Sequence, residues 1–213
     1  MFKRMDWPFE IKAMGYNFYV PFCPFLVFLA TYFFGDQTLP DTLLHQMEFI
    51  VAPFSAWWIS FLFYGYFEEG GSTFLFSYPL RTIEHGFFRV LLFFLAYVVL
   101  IFVCSLLLAV RLYHVPFIAL FFQFVSEALV YTSLSFMIII LFKLIWVPLL
   151  FIGSYVSTEY LTGGQIIPYY HVMLFQPAAS IQASVSPQTL INLGISLIFF
   201  LTGHYYLKYK LHA

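Results

Sequence analysis

The chain has 213 residues, of which 62% are apolar and only 9% are charged. In a soluble domain about a quarter of the residues are usually charged, because the surface must be hydrated. This composition therefore excludes an ordinary soluble domain and indicates a membrane protein. The formal net charge of −1 gives no reason to expect nucleic acid as a partner. Two cysteines cannot build a disulfide framework or a zinc site, and we interpret Cys23 and Cys104 as buried, unreactive thiols.

The N-terminal residues 1–15 mix apolar and charged side chains in "FKRMDWPFEIKAM". Such a composition is typical of a helix that lies in the membrane interface, here ahead of a first span. A disordered tail is the alternative. The apolar run that follows is too long and too aromatic for a cleaved signal peptide, so we expect it to remain as an uncleaved span.

Six stretches are apolar enough to cross the hydrocarbon core, for which a helix needs about twenty residues. The predicted spans are 16–34, 49–67, 87–110, 116–141, 144–161 and 190–207. The fourth and fifth are separated by a fold-back at Lys143, since a lysine can extend its ammonium group to the interface there. A single long helix kinked at Pro148 is the alternative.

The segment 162–189, before the last predicted span, is mildly apolar but repeatedly interrupted by glycine and proline. It is too interrupted to span and too apolar for an ordinary loop. We predict a partly re-entrant or membrane-surface hairpin on the outer side, buried against protein. The predicted fold is thus an all-α polytopic membrane protein, with residues 1–213 as one transmembrane domain.

The basic residues predict the orientation, because cytoplasmic loops carry an excess of lysine and arginine. Placing both termini in the cytoplasm leaves only Arg111 of the nine basic residues outside. The remaining ones then lie inside: Lys3, Arg4, Lys12, Arg81, Arg89, Lys143, Lys208 and Lys210. An odd number of spans would move the two C-terminal lysines to the outside, so the asymmetry also favours six.

Charge is concentrated in the predicted cytoplasmic loop 68–86, between the second and third spans. Its paired acids in "EEGGST" lack the arginine of the EExxxR motif found in one intramembrane protease family, and the chain has no GxxxxGK[ST] phosphate-binding motif. We therefore predict no catalytic, cofactor-binding or metal-binding residue in the chain. A compact charged loop that begins with glycines and ends with a proline favours the docking of a soluble partner.

The order Glu69, Gly71, Leu75, Pro79 and Arg81 resembles the pattern that marks the loop between spans two and three of ABC-2 type transporter permeases. The preceding "PFSAWWISFLFYGYFEEGG" is similar to permeases of this type from Gram-positive bacteria. The resemblance extends to the interfacial N-terminal segment, the tight turn in "SLSFMIIILFK", and the broken hairpin with "LFQP" before span six.

The resemblance implies a non-catalytic membrane subunit of an ATP-driven exporter in the plasma membrane. It implies an N-terminal elbow helix and a coupling helix that docks on a separate ATPase subunit, in which ATP and magnesium are bound. A second permease chain, identical or related, would complete the translocation path. The residues implied in docking are Glu69, Gly71, Phe74, Leu75, Phe76, Tyr78, Pro79 and Arg81.

Glu127 is a carboxylate well inside the fourth predicted span, and Gln123 shares its helix face at i, i+4 spacing, with Tyr131 less closely placed. An ionisable group at this depth indicates function. We expect these residues on the translocation path; a hydrogen-bonded helix contact at a dimer interface is the alternative for Glu127. A path rich in aromatic and apolar side chains suits an amphipathic peptide or lipid-like substrate. The alternative function is a stand-alone membrane protein, such as a peptide-immunity factor or intramembrane hydrolase.

Overall fold

The computed structural model describes residues 7–35, 39–63, 84–112, 115–167, 169–175 and 186–212. Every regular element in these ranges is helical, and they contain no strand. The prediction of an all-α fold is confirmed for this part of the chain. The helices are α1 (Trp7–Met14), α2 (Phe22–Phe34), α3 (Leu39–Gln46), α4 (Ser55–Leu62), α5 (Arg89–Arg111), α6 (Phe117–Phe142), α7 (Trp146–Thr162) and α8 (Pro187–His212).

Three helical segments are long and apolar enough to cross a membrane: Gly86–Arg111, Phe117–Phe142 and Pro187–Tyr209. A fourth exists if Pro8–Phe18 and Phe22–Phe34, which are bent by 61° at the break between them, count as one span. The 26 residues of α6 extend to about 39 Å at 1.5 Å per residue, which exceeds the hydrocarbon thickness. The described chain therefore has three or four candidate membrane-spanning helices by length and composition.

The second predicted span, 49–67, differs from the continuous helix expected. A π-helical segment, Met47–Val51, follows α3, and a turn at residues 52–54 precedes the eight residues of α4. Pro53 lies in that turn, and its ring and missing N–H interrupt a regular helix. The fifth predicted span, 144–161, is represented by α7, whose 17 residues extend to about 26 Å.

The chain leaves α6 at Lys143, which has the left-handed φ of 58° and donates its backbone N–H to the Ile139 carbonyl at 2.8 Å. The next helix begins at Trp146. Pro148 lies in the first turn of α7, where its missing N–H leaves no intrahelical bond unmade. The helix thus ends at Lys143, where the separation of the two spans was predicted. The alternative of a single long helix kinked at Pro148 is wrong.

Helix α6 is the centre of the structure and packs against α4, α5, α7 and α8. Its apolar window is 72% buried, against 39% for Gly86–Arg111 and 28% for Pro187–Tyr209. Gly203 of α8 permits close contact with α6, because a Cβ atom there would lie 2.8 Å from Cδ1 of Phe136 and 3.2 Å from Cα of Met137. Small residues at such crossings let helix backbones approach closely.

The outer helices expose apolar side chains, as expected of surfaces that face lipid. On α8 the exposed apolar side chains are Leu190, Ile191, Leu193, Leu197, Ile198, Leu201, Tyr205, Tyr206 and Tyr209. Cys104 is buried, but Cys23 is exposed, so our interpretation of two buried thiols is wrong for Cys23.

Candidate functional site

The polar face of α6 lies in the interior of the helix bundle. Gln123, Glu127 and Tyr131 follow one another at intervals of four residues, and their side chains are 6%, 0% and 0% exposed. Gln123 donates a hydrogen bond from Nε2 to Oε1 of Glu127 at 3.4 Å. The structure therefore brings the three sequence-predicted residues of this span onto one buried face.

A second buried carboxylate, Glu48, joins this face from another part of the chain. Nε2 of Gln123 also donates to Oε1 of Glu48 at 3.2 Å, across 75 sequence positions. Because the amide nitrogen carries two hydrogens, it can donate one to each carboxylate. One glutamine thus links two buried carboxylates, and we call Glu48, Gln123 and Glu127 the carboxylate cluster.

The π-helical segment Met47–Val51 positions Glu48 with its side chain inward, where it is only 4% exposed. Single π-helical turns are rare and often occur at functional sites. The same segment buries Met47 and Val51 beside Glu48, so the carboxylate enters the bundle among apolar neighbours.

The irregular segment 169–175 is held by side chains from three helical elements. The backbone N–H of Leu174 donates to Oε1 of Glu48 at 3.3 Å, and that of Val172 donates to the Tyr155 hydroxyl at 3.1 Å. Nδ2 of Asn192 donates to the Val172 carbonyl at 3.1 Å. Non-helical backbone within a membrane protein requires such partners, since lipid supplies none.

Asn192 connects α8 with both α6 and this segment. Its Nδ2 also donates to Oγ of Ser126 at 3.4 Å, and its Oδ1 accepts a hydrogen bond from the Tyr170 hydroxyl. Burial raises the pKa of the Tyr170 phenol well above its usual range, so the hydroxyl keeps its proton and acts as the donor. Polar groups from α6, α8 and segment 169–175 therefore form one connected arrangement.

A carboxylate–imidazole pair fixes the start of the same segment. Nδ1 of His171 lies 2.9 Å from Oε2 of Glu159 on α7, and the two side chains are 28% and 1% exposed. The carbonyl of His171 accepts a hydrogen bond from Nε2 of Gln188. Segment 169–175 is thus attached to α7 and α8 at this end and to Glu48 near its other end.

Arg89, at the start of α5, forms a second polar junction beside the ends of the charged loop. Its guanidinium pairs with the carboxylate of Glu10 on α1 and donates from Nη2 to the Leu62 carbonyl at 3.5 Å. It also lies 5.9 Å from the centre of the Phe63 ring. One buried side chain therefore joins α1, the end of α4 and the start of α5.

Oε2 of Glu127 and the hydroxyl of Tyr131, both buried on the polar face of α6, have no hydrogen-bond partner within the described ranges. Among the described residues, neither Glu48 nor Glu127 pairs with a lysine or an arginine. The same residues contain no group of three or more His, Cys, Asp or Glu side chains that could hold a metal ion. The chemistry of the cluster is that of acids and hydrogen-bond donors within apolar protein.

The predicted docking residues lie outside the described residues. They are Glu69, Gly71, Phe74, Leu75, Phe76, Tyr78, Pro79 and Arg81. Sequence reasoning missed Glu48 of the carboxylate cluster, and also Asn192, which binds segment 169–175. The only local signal of each is a polar residue beside or within an apolar run. Glu127 is fully buried within the single chain and accepts a hydrogen bond from Gln123 of its own helix.

Comparison of the chain with protein-family models, with curated proteins and with solved structures gives no match.

Proposed function

We propose that the chain is the membrane-spanning permease subunit of an ABC-2 type ATP-driven exporter. The proposal rests on the resemblance of residues 69–81 to the loop between spans two and three of ABC-2 type permeases, and on an all-helical fold with three or four candidate spans. The structural observation that carries it is the Arg89 junction. Arg89 belongs to the helix that follows the charged loop, and it contacts both the helix that precedes the loop and the N-terminal α1.

A docking loop transmits force only if its two ends are attached to the membrane helices. Leu62 is the last residue of α4 and Arg89 is the first of α5, so their hydrogen bond connects the two sides of residues 64–83. The Glu10–Arg89 pair adds α1 to the same junction. In this proposal, movement of the loop on its ATPase partner is passed to three helices together.

The proposed arrangement has six spans, with both termini in the cytoplasm and the chain in the bacterial plasma membrane. The segment 39–62 would form the second span in broken form, and α7 the fifth. The N-terminal α1 would serve as the elbow helix, and residues 162–189 as the outer hairpin. Two permease chains would surround the path, and a peptide or lipid-like amphipath would be the substrate.

ATP and magnesium would be bound by the partner ATPase, and this chain would contribute no catalytic group. Phe74 and Phe76 would provide the apolar contacts of the coupling helix, while Glu69 and Arg81 would orient it. Gln123, Glu127 and Tyr131 would lie on or beside the path. Because their side chains are buried in the described conformation, substrate would reach them only after the helices around α6 separate.

Co-purification tests the proposal. The tagged chain, expressed in its native cells and extracted in mild detergent, should bring a soluble ATPase with it. Docking interfaces depend on a few anchors, each worth about 2 kcal/mol or more. The double variant Phe74→Ala/Phe76→Ala should therefore lose the ATPase while keeping its expression and membrane insertion.

The matched control is Phe33→Ala/Phe34→Ala, which removes two exposed rings from α2, where they are 69% and 88% exposed. This control should retain the ATPase. Undiminished recovery of ATPase with the Phe74/Phe76 variant would remove the loop as the docking element. If the unmodified chain purifies without any ATPase, a stand-alone membrane protein becomes the better assignment.

A further inference from the structure

We propose that Glu48 and Glu127 form a proton-binding pair inside the helix bundle, which holds at least one proton at neutral pH. This goes beyond the proposed transport function and does not depend on it. The ligand is the proton itself, and the site is the pair of carboxyl groups that shares the side-chain amide of Gln123.

The first argument is the burial of two like charges on one donor. Glu48 is 4% exposed and Glu127 is 0% exposed, and both accept from the same Nε2 of Gln123. Burial disfavours the charged form of a carboxyl group, and a second carboxylate nearby disfavours it further. Two carboxylates in this position cannot both remain ionised at neutral pH unless a cation compensates them.

The surrounding groups supply little compensation. His45, three residues before Glu48, is the ionisable base near it, but its ring is exposed and its Nδ1 lies 2.7 Å from the Asp41 carbonyl. The imidazole of His171 is paired with Glu159. The other titratable groups that interact with the pair, from α6, α7 and segment 169–175, are phenols, which carry no positive charge: Tyr131, Tyr155 and Tyr170.

The donors around the pair favour a proton over a metal cation. The N–H groups of Gln123 and Leu174 both point at Oε1 of Glu48. A metal cation held by that oxygen would meet two partially positive N–H groups, whereas a metal site presents oxygen ligands. A shared proton removes the repulsion between the carboxylates and leaves both N–H bonds in place.

The second, independent observation is the Tyr131 hydroxyl. It is fully buried one helical turn beyond Glu127 and interacts electrostatically with both carboxyl groups. In the part of the chain that the structure describes, it has no hydrogen-bond partner. Buried polar atoms are nearly always hydrogen-bonded. Oε2 of Glu127 likewise has no partner among the described residues, so this helix face could accommodate one more hydrogen in a hydrogen bond.

Proton binding would reach the irregular segment directly. Glu48 accepts the backbone N–H of Leu174, and an ionised carboxylate accepts a stronger hydrogen bond than a protonated one. Protonation of the pair would therefore loosen the anchoring of segment 169–175, and loss of the proton would tighten it.

Labelling with a hydrophobic carbodiimide tests this, because the reagent modifies protonated carboxyl groups in apolar surroundings. The full chain in lipid vesicles is treated across a pH series, and modified residues are identified by peptide mass spectrometry. At neutral pH we expect Glu48 or Glu127 to be modified roughly tenfold more than Glu10, which is paired with Arg89. This modification should fall as the pH rises.

Two variants distinguish the effect of the second carboxylate on Glu48 from the effect of burial alone. In Glu127→Gln the like charge is gone, so the midpoint of Glu48 modification should move to lower pH by about one unit. The control Glu159→Gln removes another buried carboxyl group outside the pair and should leave the midpoint unchanged.

Absence of pH-dependent modification in the unmodified chain would overturn the proposal, whether or not the variants fold. An unchanged midpoint in a folded Glu127→Gln protein would also overturn it. Protection by sodium or potassium chloride, but not by choline chloride at equal ionic strength, would assign the pair to a metal cation instead.

Discussion

Arg89 at the start of α5 pairs with Glu10 of α1, a residue 79 positions earlier in the sequence. Their side chains are only 7% and 13% exposed, so the pair is shielded from solvent. Removal of one partner from a buried ion pair leaves the other charge uncompensated, which costs far more than the pair itself contributes. The relationship therefore makes α1 part of the folded helix bundle.

We expect Arg89→Ala to lower the free energy of unfolding by about 3–5 kcal/mol, because Glu10 and the Leu62 carbonyl both lose a buried donor. Thermal unfolding in detergent measures this loss. The double variant Glu10→Leu/Arg89→Leu should lose less than Arg89→Ala, since no unpaired charge remains. Equal losses in the two proteins would show that the ion pair contributes nothing specific.

Because α6 and α8 are in close contact, we expect substitution of two glycines of α8 to affect stability differently. Gly203→Ala places a methyl group within 2.8 Å of Phe136 and should cost about 1–3 kcal/mol of unfolding free energy. Gly194→Ala is the control, because a Cβ there meets nothing within 4 Å. Thermal stability in detergent should fall only for the Gly203 variant, and a neutral Gly203→Ala would mean that the helices are less closely packed.

Asn192→Ala should release segment 169–175. The Val172 carbonyl and the Tyr170 hydroxyl both lose their hydrogen bond to Asn192, at a cost of about 1–3 kcal/mol. Limited proteolysis should then cut within residues 169–175 faster than in the unmodified chain. Thr202→Ala, which removes a hydroxyl that donates to the Ile198 carbonyl of its own helix, should leave the cleavage rate unchanged.

The lysine and arginine asymmetry predicts which positions face the outside of the cell. After replacement of Cys23 and Cys104, single cysteines at Ser77 and Ala213 should be protected from an impermeant thiol reagent in intact cells. A cysteine at Gln37 should react. Lysed cells give the control, since all three positions should then be labelled. Reaction at Ser77 in intact cells would reverse the proposed orientation.

The long helices could be predicted from the sequence because their limits are local. The span predicted at 116–141 is the helix Phe117–Phe142 in the structure, and the span predicted at 87–110 is the helix Arg89–Arg111. In each case an apolar run of membrane length ends at a proline, a lysine or an arginine. The hydrophobic thickness of a bilayer and the geometry of an α-helix fix how long such a run must be.

The same local information placed Gln123, Glu127 and Tyr131 on one helix face. It could not anticipate the breaks in residues 39–62, where a π-helical segment and a turn replace part of the expected span. The apolar composition of that stretch suits a straight helix equally well. In the folded chain α4 packs against α6 and α7, and the π-helical segment before it buries Glu48.

The sequence by itself determined that this protein is helical, apolar enough for a membrane, and where its long helices run, because these properties depend on neighbouring residues. Only the tertiary structure decided the partners of its buried charges. Glu48 meets Gln123 across 75 positions, and Arg89 meets Glu10 across 79. A carboxylate beside an apolar run has the same local sequence whether it faces water or the interior, and the cost of burying it is met only by groups that folding brings to it.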